Sequence, residues 1–237
     1  MRRKWGKEKV ALPRKRSGMG IKMDKGFVYD YLAGIEYPGI DSIYFGRIPL
    51  IPLGRWLMGM AVILFVTGIY LSRRRQILLF EMVRFGRRTS WWDAQFWNLF
   101  PMGAAACFCY EFCMKGLDLF LHRQGPRGME EILIFLLWLV HMMTAASIFC
   151  LFDLTAFRTM APAFLLVTEV STFTVGFYKW NLSKFMFGNW GMYLQSDRVE
   201  KTYGFSPGAV MIFQCLIILA VWRAGFRIAD RREGAAV

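Results

Sequence analysis

The stretch ILIFLLWLVHMMTAASIFCLF, residues 132–152, contains no Asp, Glu, Lys or Arg and decides the fold class. A helix of about 20 mostly apolar residues is long enough to cross the ~30 Å hydrocarbon core of a bilayer. Four further stretches have comparable length and composition. They are residues 51–72, 100–121, 159–178 and 205–222. The sequence therefore predicts an all-α, polytopic transmembrane helical bundle with about five spans.

Composition favours a membrane protein over the alternative of a very hydrophobic soluble bundle. Of the 237 residues, 56% are hydrophobic and 17% aromatic, whereas soluble domains are about 45–50% apolar. We expect a basic, largely non-spanning segment over residues 1–50, a transmembrane domain over 51–226 and a short polar tail over 227–237. The net charge of +13 lies mainly beside the spans, where basic residues orient a protein and meet anionic lipid. We therefore predict membrane lipid, and no nucleic acid, as a partner.

The sequence offers little for catalysis or metal binding. It contains no G-x-x-x-x-G-K-[ST] phosphate loop, so ATP binding by this chain is not expected. The five cysteines lack zinc-site spacing, and the two histidines are His122 and His141. We predict no catalytic residue, no metal and no cofactor in this chain. A membrane enzyme, such as an acyltransferase or an intramembrane protease, is a rival class.

The charges of the loops predict how the chain is oriented. With five spans, residues 73–98, residues 153–158 and the C-terminal tail share one side, which carries eleven Lys and Arg. The opposite side carries seventeen, of which eight lie in residues 1–16, far from the first span. The positive-inside rule counts residues close to the spans. When all eleven Lys and Arg of residues 1–50 are left out, the count is eleven on the first side and six on the opposite side. We therefore predict that residues 73–98 and the C-terminus are cytoplasmic. An outside N-terminus would then need a further helix upstream, with residues 17–47 as an extracellular loop.

The segment between the first two predicted spans reads SRRRQILLFEMVRFGRRTSWWDAQFWNLF, residues 72–100. Apolar residues recur at helical spacing beside Arg84, Arg87 and Arg88, and Trp91 and Trp92 follow. Basic residues with Trp at the water–lipid boundary are typical of a helix that lies on the membrane surface. Such a helix is either an orientation anchor or a docking element.

Three stretches of this sequence resemble the membrane subunits of type 2 bacterial ABC exporters, in the group of lantibiotic and bacteriocin export or self-immunity systems. The stretches are IPLIPLGRWLMG (48–59), EMVRFGRRTSWWDAQFW (81–97) and FGNWGMYLQSD (187–197). The resemblance implies six spans in the complete fold and a location in the bacterial plasma membrane. It also implies a separate ATPase subunit that binds ATP, and a second permease, identical or related. The helix that couples to the ATPase would carry Arg84, Arg87, Arg88, Trp91 and Trp92.

Charged residues also occur inside the predicted spans. Glu111, Lys115 and Asp118 share one helix face through i,i+4 and i,i+3 spacing. Intramembrane charges cost several kcal/mol unless they are paired or hydrated, so these three either neutralise one another or line a translocation pathway. Glu169 and His141 have no partner that the sequence identifies. The aromatic-rich segment 179–204 is predicted to pack on the outer bilayer surface, with peptide binding as an open role.

The leading functional hypothesis is a non-catalytic permease subunit of an ATP-driven exporter for an antimicrobial peptide or another amphipathic substrate. The alternative is a membrane immunity or assembly protein that binds its target without transport.

Overall fold

The computed structural model describes residues 26–36, 49–123, 125–199 and 201–234. Within these ranges the chain is all-α, with eight helices, two short 3-10 turns and no strand. The helices are α1 (Phe27–Leu32), α2 (Leu50–Gln76), α3 (Leu78–Phe85), α4 (Arg88–Phe120), α5 (Met129–Asp153), α6 (Ala161–Tyr178), α7 (Trp180–Ser183) and α8 (Pro207–Gly234). The predicted fold class is confirmed.

Four helices are long and apolar enough to cross a membrane, namely α2, α5, α6 and α8 over Pro207–Arg231. The chain is therefore a membrane protein. The fifth predicted span, residues 100–121, lies within α4. This helix has 33 residues but is less apolar, because Glu111, Lys115 and Asp118 occupy its C-terminal part. That span stays a prediction.

Helix α5 lies at the centre of the bundle. It packs against α2, α4, α6 and α8, and 67% of its most apolar window is buried, compared with 22% for α8. A helix that is apolar on all faces either fills a core or faces lipid. α5 does the first and α8 does the second.

Several helices extend beyond the predicted spans. α2 continues through Arg73, Arg74 and Arg75 to Gln76, and α8 continues past residue 222 to Gly234. The predicted surface segment 73–98 is therefore not one loop, since it comprises the last turn of α2, all of α3 and the first turns of α4. Arg, Leu, Met and Gln are good helix formers, which explains why the helices do not stop where the apolar residues do.

The two ends of the bundle are distinguished by which helix termini meet there. At the basic end, an ion pair of 3.1 Å between Arg75 and Asp153 joins the C-terminal ends of α2 and α5. The indole of Trp222 in α8 donates a hydrogen bond of 2.8 Å to Asp93 near the start of α4. We call the opposite end the cap end, because α1 covers it and packs against α2, α4 and α5.

Of the predicted N-terminal segment 1–50, the structure describes residues 26–36 and 49–50, so its basic residues 1–16 and most of the predicted extracellular loop 17–47 lie outside the described residues. Only residues 26–36 of that loop are described, and they are not exposed as a solvated loop would be. Leu32 and Ala33 are fully buried, and the carbonyl of Ala33 accepts a hydrogen bond of 3.0 Å from the backbone of Leu194. This segment is part of the packed bundle.

Candidate functional site

Helix α3 at the basic end is fixed to its two neighbours by one carboxylate. Glu81 is 8% exposed, pairs with Arg74 at the end of α2, and accepts a hydrogen bond of 3.0 Å from the indole of Trp91 in α4. Arg74 also donates to the hydroxyl of Tyr70 over 3.3 Å. A single acidic side chain therefore couples α3 to both α2 and α4.

The outer face of α3 and the following turn carry charge and apolar surface together. Arg84 and Arg87 are exposed, Arg88 is half-buried, and none of the three forms an ion pair with a residue that the structure describes. Phe80 is 80% exposed and Ile77 is 45% exposed. Exposed aromatic and aliphatic residues beside arginines are what a helix on a membrane surface requires.

Trp91 and Trp92 do not share that surface. They are 7% and 0% exposed, and the indole of Trp92 donates a hydrogen bond of 3.0 Å to the carbonyl of Trp222 in α8. Both side chains pack inside the bundle, because positions 91, 92, 95, 96 and 99 form the inner face of α4. Of the five residues predicted to couple to an ATPase, only the three arginines are accessible to a partner.

Asp118 holds α1 at the cap end. Its carboxylate accepts hydrogen bonds from the backbone N–H groups of Phe27 and of Val28, the latter at 3.2 Å. An acidic group at a helix N-terminus satisfies donors that have no partner within the helix. A Cβ on Gly26 would lie 2.5 Å from the same carboxylate, so only glycine fits there. This contact engages Asp118 within the bundle and leaves it buried, while its predicted place in a pathway stays a prediction.

Lys115 forms its main ion pair with a residue of another helix. Its ammonium group is in close contact with Glu131 at the start of α5, and it lies 3.6 Å from Glu111. The predicted group of Glu111, Lys115 and Asp118 is therefore divided, with Glu131 in the place of Asp118. Sequence spacing within α4 identifies the i,i+4 pair and gives no information on Glu131.

The most deeply buried polar cluster joins three helices. Trp56 of α2, His141 of α5 and Glu169 of α6 are each 0% exposed. The Trp56 indole donates a hydrogen bond of 2.8 Å to one oxygen of Glu169. The Nε2 atom of His141 lies 3.1 Å from that oxygen and 3.3 Å from the other. Glu169 and His141, which have no partner recognisable in the sequence, are thus partners of each other.

The segment between α6 and α8 covers this cluster. The ring of Phe187 lies 4.7 Å from the His141 ring, centroid to centroid, and a Cβ on Gly191 would come within 2.7 Å of His141. Asn189 and Gln195 are also buried, and the Gln195 amide donates a hydrogen bond of 2.6 Å to the carbonyl of Ile35. This part of segment 179–204 packs into the bundle and does not lie on its surface as predicted.

The contacts of this cluster are all within the bundle. A polar group in an apolar interior is costly without a partner, and both oxygens of Glu169 lie within hydrogen-bonding distance of His141. The Nδ1 atom of His141 has no hydrogen-bond partner among the described residues. Within the same part of the chain, no three His, Cys, Asp or Glu residues are placed to hold a metal ion.

Comparison with known proteins finds no matching family model, no matching curated protein and no matching solved structure. The resemblance to exporter permeases therefore rests on the three sequence stretches. In the structure these stretches contribute to the sites described above. The first contains Trp56, the second contains Glu81 and Trp91, and the third contains Phe187 and Gly191.

Proposed function

We propose that this chain is the non-catalytic transmembrane permease subunit of an ATP-driven exporter in the bacterial plasma membrane. Its partners would be a separate ATPase, which binds the ATP, and a second permease, identical or related. The observation that supports this proposal best is helix α3. This helix and the turn after it present the exposed Arg84 and Arg87 at the basic end, and the helix is bound through Glu81 to two long helices.

A coupling helix must be accessible to the ATPase and rigidly connected to the membrane helices. Arg84 and Arg87 meet the first requirement, since a guanidinium binds a carboxylate through two parallel hydrogen bonds. Glu81 meets the second, because a displacement of α3 would be transmitted to α2 through Arg74 and to α4 through Trp91. A simple orientation anchor needs the arginines but has no need of this buried link.

The packing of the bundle bears on where cargo would cross. The centre of one copy is filled by aromatic side chains, including Tyr110 and Trp138, whose rings stack with centroids 5.4 Å apart. The outer face of α8 is apolar, with Ile212 and Leu216 66% and 56% exposed. A pathway between two permeases therefore fits this chain better than one through a single copy. The cargo, an amphipathic peptide, is proposed from the sequence resemblance alone.

Charge reversal on α3 tests the coupling role. The chain would be expressed with the proposed partner, an ABC ATPase from the same genome, and the amount of ATPase that co-purifies would be measured. Arg84→Glu with Arg87→Glu should reduce binding about 30- to 5,000-fold, as expected when a charged contact worth about 2–5 kcal/mol is lost. The control is Arg223→Glu with Arg227→Glu, two exposed positions of α8. Wild-type binding by the α3 variant would reject the proposal.

An immunity or assembly protein that acts by binding alone is the second candidate. The observation that favours it is that the buried acids Asp118 and Glu169 both bind other residues of the bundle. Acids with internal partners stabilise the fold and do not require a cargo that moves past them. Peptide-sensitive cells that express the chain with an ATPase unable to hydrolyse ATP would distinguish the two. If resistance to the peptide is lost with the inactive ATPase, export is supported. If resistance to the peptide is retained, binding alone is supported.

A further inference from the structure

An apolar groove of 410 Å³ runs along the outside of the bundle between α2 and α6. One wall is formed by Phe65, Gly68 and Ile69 of α2, and the other is formed by Pro162 and Leu166 of α6. The floor is Phe149 of α5, which is 5% exposed. The groove is thus a site between transmembrane helices that opens toward lipid.

The length of the groove corresponds to one leaflet of a bilayer. On α2 it extends from Ala61 to Ser72, which at 1.5 Å per residue is about 16 Å. The hydrocarbon core of a bilayer is ~30 Å thick, so a single leaflet accounts for about half of that. One extended acyl chain would fill the groove from the headgroup level to the middle of the membrane.

Two exposed arginines lie near the headgroup end of the groove. Arg73 follows Ser72 directly, and Arg158 precedes Pro162 by four residues. Both are exposed, and neither forms an ion pair with a described residue. The neighbouring arginines of α2 are already engaged, Arg74 by Glu81 and Arg75 by Asp153. Asp153 is attracted to both Arg75 and Arg158, so one carboxylate faces three arginines, with Arg73, and this end of the groove is positive.

We propose that this groove is a binding site for an anionic phospholipid. One acyl chain lies along α2 and α6, and the phosphodiester headgroup binds Arg73 and Arg158. Guanidinium groups recognise phosphate oxygens through paired hydrogen bonds, and basic pockets between transmembrane helices are known to hold anionic headgroups. A zwitterionic lipid would fit the same apolar walls but would lack the net charge that the arginines favour. The site does not depend on the proposed function, since it uses neither Arg84 nor Arg87.

Photocrosslinking in vesicles tests the site directly. The full chain is reconstituted in phosphatidylcholine with a trace of phosphatidylglycerol that carries a diazirine on one acyl chain, and labelled peptides are mapped by mass spectrometry. Label should appear on residues 61–72 and 162–166, and unlabelled phosphatidylglycerol should compete far better than phosphatidylcholine. Arg73→Gln with Arg158→Gln should reduce labelling about 25-fold, since each arginine near the membrane surface contributes about fivefold, or about 1 kcal/mol. Arg227→Gln, an exposed arginine of α8, is the matched control.

A second variant blocks the apolar part without changing charge. Gly68→Leu places a side chain in the groove and should abolish labelling there, whereas Gly54→Leu, at an exposed position of the same helix with no neighbouring side chain, should not. Equal labelling by phosphatidylglycerol and phosphatidylcholine probes would mean that the groove contacts surrounding lipid without selectivity, and it would overturn the proposal. Unchanged labelling in the double arginine variant, with the protein folded as judged by its elution volume, would overturn it as well.

Discussion

Charged side chains serve different purposes at the two ends of this bundle. At the cap end several of them bind other parts of the chain: Arg55 to Asp30 over 2.7 Å, Lys115 to Glu131, and Asp118 to the first turn of α1. Exposed lysines of the same end, such as Lys179 and Lys201, form no ion pair with a described residue. At the basic end the exposed arginines also form none, but they lie beside apolar surface, on the outer face of α3 and next to the groove between α2 and α6. The difference between the ends is therefore that buried and half-buried charges close the fold at the cap end, whereas exposed arginines and apolar surface occur together at the basic end.

The buried cluster should give the largest loss of stability. Glu169→Ala removes the acceptor of the Trp56 indole and the hydrogen-bond partner of His141, and each buried polar group left without a partner costs about 1–3 kcal/mol. Unfolding of the purified protein in detergent, followed by circular dichroism, measures the change. Asp230→Ala, at an exposed position of α8, is the control and should be within about 0.5 kcal/mol of wild type. Equal effects of the two substitutions would show that Glu169 is not engaged.

At the cap end, loss of the Asp118 carboxylate should be less costly. Asp118→Ala removes the acceptor of two backbone donors of α1, and loss of such a cap costs about 0.5–2 kcal/mol. Gly26→Ala should also destabilise, because its Cβ would meet the carboxylate. In a double-mutant cycle, Gly26→Ala should cost less when Asp118 is already alanine. Additive effects would mean that the two residues do not touch.

Alkaline pH should loosen the cap end before the rest of the bundle. Burial, with the nearby charge of Glu130, raises the pKa of Tyr29 above its usual value. Because the folded state holds this proton more tightly, its contribution to stability is complete below the unfolded pKa of about 10. It is lost as the pH rises from there through the raised folded pKa. Tyr29→Phe should flatten the dependence of the unfolding midpoint on pH above 10, and an unaltered slope would exclude this tyrosine as its cause.

The smallest effect on stability is expected at the basic end. Arg84→Gln with Arg87→Gln should change the free energy of unfolding by less than about 0.5 kcal/mol, as is usual for exposed positions without packed contacts. Glu81→Gln, one turn before Arg84, should cost clearly more because it weakens the links to Arg74 and Trp91. Comparable losses in the two variants would mean that the arginines stabilise the fold itself.

The sequence predicted the parts of the structure that depend on local composition. Uninterrupted apolar stretches such as 132–152 locate the helices, and i,i+4 spacing finds the contact between Glu111 and Lys115. The sequence did not predict contacts between residues that are distant along the chain. Glu169 and His141 are 28 residues apart, and Asp118 is 90 residues from Val28. No local pattern encodes such contacts.

Tryptophan and segment 179–204 show a second limit of the sequence. Trp beside arginine is typical of a membrane interface, yet Trp91 and Trp92 fill the core. They lie on the inner face of α4, whereas Arg87 precedes the helix in an extended conformation. Segment 179–204 is polar and aromatic enough to predict a surface element. Asn189 and Gln195 are instead buried because their amides find acceptors, at Ser183 and at Ile35 respectively.

The most direct test of the account compares the two ends in living cells. A photoreactive benzoylphenylalanine is introduced at Arg84, at the basic end, or at Lys201, an exposed residue of the segment that joins α6 to α8. The cells also express the proposed partner, an ABC ATPase from the same genome. Irradiation should crosslink the ATPase to position 84 and not to position 201. A crosslink from position 201 alone, or from neither position while both variants remain folded in the membrane, would contradict the claim that the basic end receives the ATPase.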